Sequence, residues 1–366
     1  MIYLDSGATS FYKPRSVYDA VQKAMMTCAN PGRGGYKWSA NAASVVYDCR
    51  EKIGEMFGCE PENVVFTANC THGLNIAIHS LVKPGTAVVV TGFEHNAVVR
   101  PLYAKGVKLF VAGRKLFDHA NTLESFEAIL RKGVDAAVFT HVSNVFGYIL
   151  PIKEMADLCR NYGVPFVIDA AQSAGYLPLD IGSLGASFIA MPGHKGLLGP
   201  QGTGVLLCNG ESKPLLFGGT GSASKEREMP VELPERLEAG TINVPGIAGL
   251  LAGINYIQKI GLKNIENSTH KQMLRCIKGL QNVGLHPFAG KDQLGTVSFV
   301  PDMDTEIFAD ELAKRGFALR AGLHCAPLAH ESAGTLATGT VRVSFCHNIT
   351  SQQTDAFVKT VANIIN

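Results

Sequence analysis

The sequence has no Cys-x-x-Cys pair, and no apolar run of the length a bilayer span requires. Its nine cysteines (Cys28, Cys49, Cys59, Cys70, Cys159, Cys208, Cys276, Cys325 and Cys346) are scattered and odd in number. That pattern argues against a disulfide framework and offers no ligand spacing for a structural zinc, so no metal site is expected. An excess of charge is missing too: 33 basic residues meet 31 acidic ones, for a net charge of +2. Neither a nucleic-acid surface nor a polybasic membrane patch follows from such a balance. The first residues, Met1 to Ser6, carry neither a basic leader nor an apolar h-region. These absences lead us to expect a reduced, cytoplasmic protein that binds neither nucleic acid nor membrane.

What is present is a large core. Apolar residues make up 46% of the 366 positions and glycine accounts for 39, which suits an α/β chain with many tight strand-to-helix turns. Buried strands are expected at Val64–Phe66, Ala87–Val90, Lys108–Val111, Ala136–Thr140, Pro165–Ile168, Ser187–Ala190 and Val205–Leu207. Helical faces lie between them, with Leu74, Ala77, Ile78 and Leu81 on one helix and Met155, Leu158, Cys159 and Tyr162 on another. The alternation predicts a mostly parallel sheet covered on both faces. Beyond about Gly249 the rhythm changes to helices near 245–260 and 265–281, then strand-like pieces at Thr296–Val300, Ala318–Arg320 and Val341–Phe345. We therefore expect a large domain over residues 15–250 and a smaller α+β domain made from 1–14 and 251–366. The Gly-, Ser-, Pro- and charge-rich stretch 217–240 reads as a loop.

Four elements follow expected strands in an order that one chemistry would need. Thr67 to Asn75 joins a strand to an amphipathic helix, where free amides would suit a phosphate as readily as an ordinary cap. Asp169, in Asp-Ala-Ala-Gln, stands at the carboxyl end of a strand, facing a ligand crevice or capping a helix. Lys195, in Pro-Gly-His-Lys-Gly, is a candidate Schiff-base amine if desolvated and a solvated charge otherwise. His95 has the flat ring needed to stack on another ring, and is a structural histidine if no ring is there.

These motifs, with Tyr3-Leu4-Asp5-Ser6-Gly7-Ala8-Thr9 at the start, Thr140 to Gly147 in the middle and Arg320-Ala321-Gly322-Leu323-His324-Cys325-Ala326 near the end, resemble one family along nearly the whole chain. It is the class V group of fold type I pyridoxal 5'-phosphate enzymes, and within it the cysteine desulfurases and selenocysteine lyases. The resemblance implies a large domain with a mostly parallel seven-stranded sheet and a smaller C-terminal α+β domain. Lys195 would carry the cofactor and shuttle the α-proton. Asp169 would pair with the pyridine nitrogen, Gln172 with the ring hydroxyl, and His95 would stack on the ring. Cys70, Thr71 and His194 would hold the phosphate, helped by Thr241 of the other subunit of a homodimer with shared sites. Asn144 and Arg342 would take the substrate carboxylate, although an arginine between two valines fits an outward-facing strand position as well. Arg33 and Tyr36 would approach the substrate from the partner chain. Cys325 would attack the substrate sulfur and carry it as a persulfide, with Arg320 and His324 near enough to favour a thiolate.

The compact run from Arg320 to Cys325 resembles the group II, SUF-type branch. The sequence departs from the family's pattern at Pro192, where a hydroxyl residue is usual, at Cys70, where threonine is usual, and at Tyr36, where group II often has histidine. Pro327 also follows Ala326 sooner than in the best-known members. The expected activity is conversion of L-cysteine to L-alanine, with sulfur passed on to an acceptor protein. Selenocysteine lyase, class V aminotransferase and a catalytically silent scaffold stand as alternatives.

Overall fold

The computed structural model describes residues 1–32 and 34–365. After β1 (Ile2–Tyr3) come β2 (Val64–Thr67), β3 (Ala87–Thr91), β4 (Lys108–Ala112), β5 (Ala136–Thr140), β6 (Phe166–Asp169), β7 (Phe188–Pro192) and β8 (Gly204–Cys208). Strands β2 to β8 form one seven-stranded sheet in the order β2-β8-β7-β6-β5-β3-β4. Only β8 runs against its neighbours. Because successive side chains of a strand point to opposite faces, the two sides of this sheet make two cores. Ala137 and Phe139 of β5 enter the first, and Ala136 and Val138 enter the second. Burial on both faces is what made these strands read as unbroken apolar runs.

Four further strands follow: β9 (Thr296–Phe299), β10 (Phe317–Ala318), β11 (Arg320–Gly322) and β12 (Thr340–Ser344). β11, β12 and β9 form a three-stranded antiparallel sheet. The single strand expected at Ala318–Arg320 is two, because the chain changes sheet at Leu319: β10 pairs in parallel with β1, and β11 turns to β12. Leu4, Phe299, Phe308, Val341, Val343 and Phe357 share one core, which ties the N-terminal residues to the C-terminal part of the chain. The helix Val244–Ile260 buries Ile254 and Ile257 in the first core of the large sheet.

Segment 217–240 contains no strand or helix and is anchored by a buried charge. Glu238 pairs with Arg50 at 2.6 Å and accepts the Phe66 amide at 2.6 Å, while Arg50 also donates to the Val64 carbonyl. Removing one member of a buried pair strands the other without compensation. Glu238→Gln is therefore expected to lower the unfolding free energy by roughly 3–5 kcal/mol, measured by equilibrium denaturation at fixed protein concentration. A loss under about 1 kcal/mol would mean that water screens this pair as it does a surface one.

Candidate active site

The parallel strands of the large sheet end at one edge, and their following loops meet there. β2 leads to Asn69, Cys70 and Thr71; β3 to His95; β5 to Asn144; β6 ends on Asp169; and β7 leads to His194 and Lys195. Cys70, Thr71, His95, Asn144, Asp169, Gln172, His194 and Lys195 consequently line one cavity of about 100 Å³. The antiparallel β8 begins at this edge with Gly204, where a Cβ would lie 2.6 Å from the Asn69 backbone. Glycine is what lets β8 pass behind the helix that starts there.

That helix, Cys70–Leu81, is capped by the Asn69 side chain, which accepts the His72 amide at 2.9 Å. The amides of its first turn precede any intrahelical partner and face the cavity end. Thr71 is exposed there. The Cys70 thiol donates to Asp169 at 3.5 Å, and burial together with that carboxylate pushes its pKa well above the usual value. Cys70 is thus a neutral donor to Asp169. Asp169 also accepts the Ala171 amide at 2.8 Å.

Burial lowers the pKa of the Lys195 amine, while Asp169 opposes the shift. Burial also keeps His95 neutral, again opposed by Asp169. The His95 Nδ1 accepts the Ala97 amide at 3.0 Å, which fixes the ring's direction and leaves the proton on Nε2. His194 falls to about 4 through burial and the charges of Lys195 and Lys13, and its Nδ1 lies 3.0 Å from the Thr9 hydroxyl. A neutral ring, it offers a phosphate no positive charge. Gln172 donates its amide to the Gly7 carbonyl at 3.0 Å.

The C-terminal sheet stands beside this cavity and meets it through Asn144, while Arg342 and Arg320 are not among the residues that line it. On β12, Val341 and Val343 face the core, so Thr340, Arg342 and Ser344 face the other way. The Arg342 side chain is only 3% exposed, which rules out the outward-facing position. Its Nη1 donates to the Asn144 carbonyl at 3.0 Å and its Nη2 to Asp5 at 2.7 Å, while its buried Nε has no partner among the described residues. The open fork expected for a carboxylate is therefore already half engaged.

Cys325 is exposed, at the tip of a compact loop. His324 and Cys325 have φ values of 48° and 56°, a left-handed pair that costs non-glycine residues energy. Several bonds hold it. Asn144 donates to the His324 carbonyl at 2.8 Å, and His324 Nε2 lies 3.1 Å from the Thr340 carbonyl. The Asn96 amide, one residue past His95, donates to the Cys325 carbonyl at 2.8 Å. The expectation that His324 would favour a thiolate fails, because burial and Arg342 drive its pKa down to about 2. Arg320 is half-exposed and 3.2 Å from Asp5.

Thr241 and Tyr36 do not reach the cavity of their own chain; both are exposed, and Thr241 borders a separate hollow of about 610 Å³. Arg33 lies outside the described residues. Sequence reasoning gave no role to four residues that hold the site together. Thr9 and Ser10 both donate to the His194 carbonyl, at 3.1 and 2.9 Å. Buried Glu94 accepts from the Thr91 hydroxyl at 2.6 Å and the Thr140 amide at 3.0 Å, joining the ends of β3 and β5. Asp5 sits between two arginines. Asp5 and Thr9 lie inside the opening motif, which was the available signal; Glu94 directly precedes His95. No group of three or more His, Cys, Asp or Glu able to hold a metal occurs among the described residues. None of their helices is long and apolar enough to cross a membrane.

The model of the aminotransferase class-V family matches residues 2–357. A probable cysteine desulfurase of Pyrococcus abyssi is 33% identical, over 100% of this chain and 94% of that protein. One from Methanothermobacter thermautotrophicus is 31% identical, over 99% and 94%. The apo structure of cysteine desulfurase from Thermococcus onnurineus NA1 superposes with a TM-score of 0.92 at 31% identity, covering 100% of this chain and 94% of that one. The chain belongs to the class-V aminotransferase family, whose members depend in general on pyridoxal phosphate.

Proposed function

We propose that this protein is a pyridoxal-phosphate-dependent cysteine desulfurase, converting L-cysteine to L-alanine and taking the sulfur onto Cys325 as a persulfide. The observation that carries the reading is convergence. Lys195, Asp169 and His95 line one cavity, and the Cys325 backbone is bonded to the residue that follows His95.

The donor set suits the cofactor. An amine with a depressed pKa is available to an aldehyde, a buried carboxylate faces the same space, a neutral ring is fixed by its Nδ1, and helix amides wait at one end. When bound, pyridoxal phosphate supplies an electron sink for the substrate α-carbon. Lys195 would tether it and carry the proton at that carbon. Asp169, itself receiving the Cys70 thiol, would hold the pyridine nitrogen protonated. His95 would cover one ring face and Gln172 would lie near the ring hydroxyl. The first turn at Cys70 and Thr71 would receive the phosphate, with the neutral His194 ring beside it. Asn144 and Arg342 would orient the substrate carboxylate. The Cys325 thiolate would then attack the substrate sulfur. One carbon–sulfur bond breaks, one sulfur–sulfur bond forms, and a proton replaces sulfur on the alanine carbon, so no external oxidant is needed.

Alanine formed from cysteine, with the released sulfur accounted for on the protein or as sulfide, is the expected product pair. A keto acid appearing with a new amino acid would move the reading to an aminotransferase. We take residues 15–250 as the cofactor-binding domain, extended to the end of the helix Val244–Ile260 that packs in its core, with 1–14 and the rest of 251–366 as the smaller one, in a cytoplasmic enzyme that hands sulfur to an acceptor protein.

The exposed positions of Thr241 and Tyr36 make sense in a homodimer where each reaches the neighbour's cavity. Thr241→Ala and Lys195→Ala variants, each impaired alone, should regain part of the activity when mixed and reassembled. The hybrid dimer contains one site with both wild-type residues. Demonstrably mixed dimers with no recovery would contradict shared sites.

A further inference from the structure

Arg320 and Arg342 are direct partners across the antiparallel pair β11–β12. Like charges placed opposite one another destabilise a sheet. Here a third group intervenes: Asp5 contacts Arg342 at 2.7 Å with one carboxylate oxygen and Arg320 at 3.2 Å with the other. Its backbone is pinned for the purpose. Asp5 forms a bridge with Ser344 of β12, the Ser344 amide donates to the Leu4 carbonyl at 2.8 Å, and the Tyr3 hydroxyl donates to the Asp5 carbonyl at 3.1 Å. Two cations and one anion leave a single uncompensated positive charge beside the cavity. Burial keeps the neighbouring Tyr3 hydroxyl protonated and His324 neutral, so neither adds charge to these three groups, and the nearby Lys195 amine is opposed by Asp169.

We propose that Asp5 sets the charge specificity of the site. By cancelling one of two arginine charges, it leaves a site matched to one carboxylate, so that an amino acid with a neutral side chain is accepted and one with an acidic side chain is discriminated against. The inference rests on the reading of Arg342 as the carboxylate ligand. It assigns Asp5 as a specificity-determining residue acting through the arginines, and Arg320 as the cation that Asp5 silences. Without Asp5, Arg320 would be free to receive a second anionic group.

Succinamate and succinate test this cleanly, because they differ in shape very little, differ by one charge, and lack the amine needed to react with the cofactor. Their affinities for the holoenzyme are read by calorimetry. The wild type should prefer succinamate. Asp5→Asn should shift the ratio of the two affinities toward succinate by about tenfold. Arg320→Gln, a change at a half-exposed side chain, should shift it the other way and keeps the test alive if Asp5→Asn does not fold. Unchanged ratios in both variants, with Arg342→Gln weakening both ligands, would overturn the role of Asp5 while leaving the carboxylate reading intact. Full binding of both ligands by folded Arg342→Gln would remove that reading, and the inference with it.

Discussion

Cys325→Ser should retain the cofactor's absorbance and still bind cysteine, yet lose alanine production from cysteine by about a hundredfold or more. The reason lies in what breaking the carbon–sulfur bond requires. The proton at the α-carbon can be moved by Lys195 in either protein, but the sulfur must be accepted by something, and a serine hydroxyl is a far poorer acceptor than a thiolate. The loop argues for the same assignment. Two consecutive left-handed residues are retained at His324 and Cys325, held by Asn144, Thr340 and Asn96, and strain of this kind persists where its surroundings fix it. Selenocysteine should remain partly active, because selenium leaves more readily. Turnover of cysteine by Cys325→Ser at the wild-type rate would exclude persulfide transfer and favour a β-lyase or aminotransferase.

Lys195→Ala has the other large effect. The wild-type protein should be yellow, and borohydride should fix a pyridoxyl group to the peptide containing Lys195. The variant should retain no covalently fixed pyridoxyl group after the same treatment, and its activity should fall by roughly a thousandfold or more, as expected when both the tether and the proton carrier are removed. Burial already holds this amine below its ordinary pKa, so a neutral amine is accessible nearer physiological pH than for a surface lysine. A pyridoxyl group recovered on a different lysine would reassign the site.

Much of this was legible because parallel strands deliver their loops to one edge. Lys195, Asp169, His95 and Cys70 each stand just past, or at the end of, an apolar run, so marking the strands also marked the cavity. Register and long-range partners were not legible. Ala318 and Arg320 are two residues apart yet belong to different sheets, a choice made by β1, more than 300 residues away. Arg342 looked capable of facing outward because its flanking valines specify only that it points opposite to them; what lies opposite is the N-terminal segment. His324 looked like a cation near Cys325 until burial beside Arg342 removed its charge. Asp5 stood inside the opening motif, but what it binds was not legible, since its two partners are more than 300 positions distant in sequence and adjacent only across a strand pair.

Mass spectrometry of the intact protein after brief exposure to L-cysteine tests the central claim most directly. Without added reductant, the wild type should gain the mass of one sulfur atom, reversed by dithiothreitol and mapped to the peptide containing Cys325. Alanine formed in parallel with no added sulfur on Cys325, even in the first turnover, would contradict transfer of sulfur to this residue.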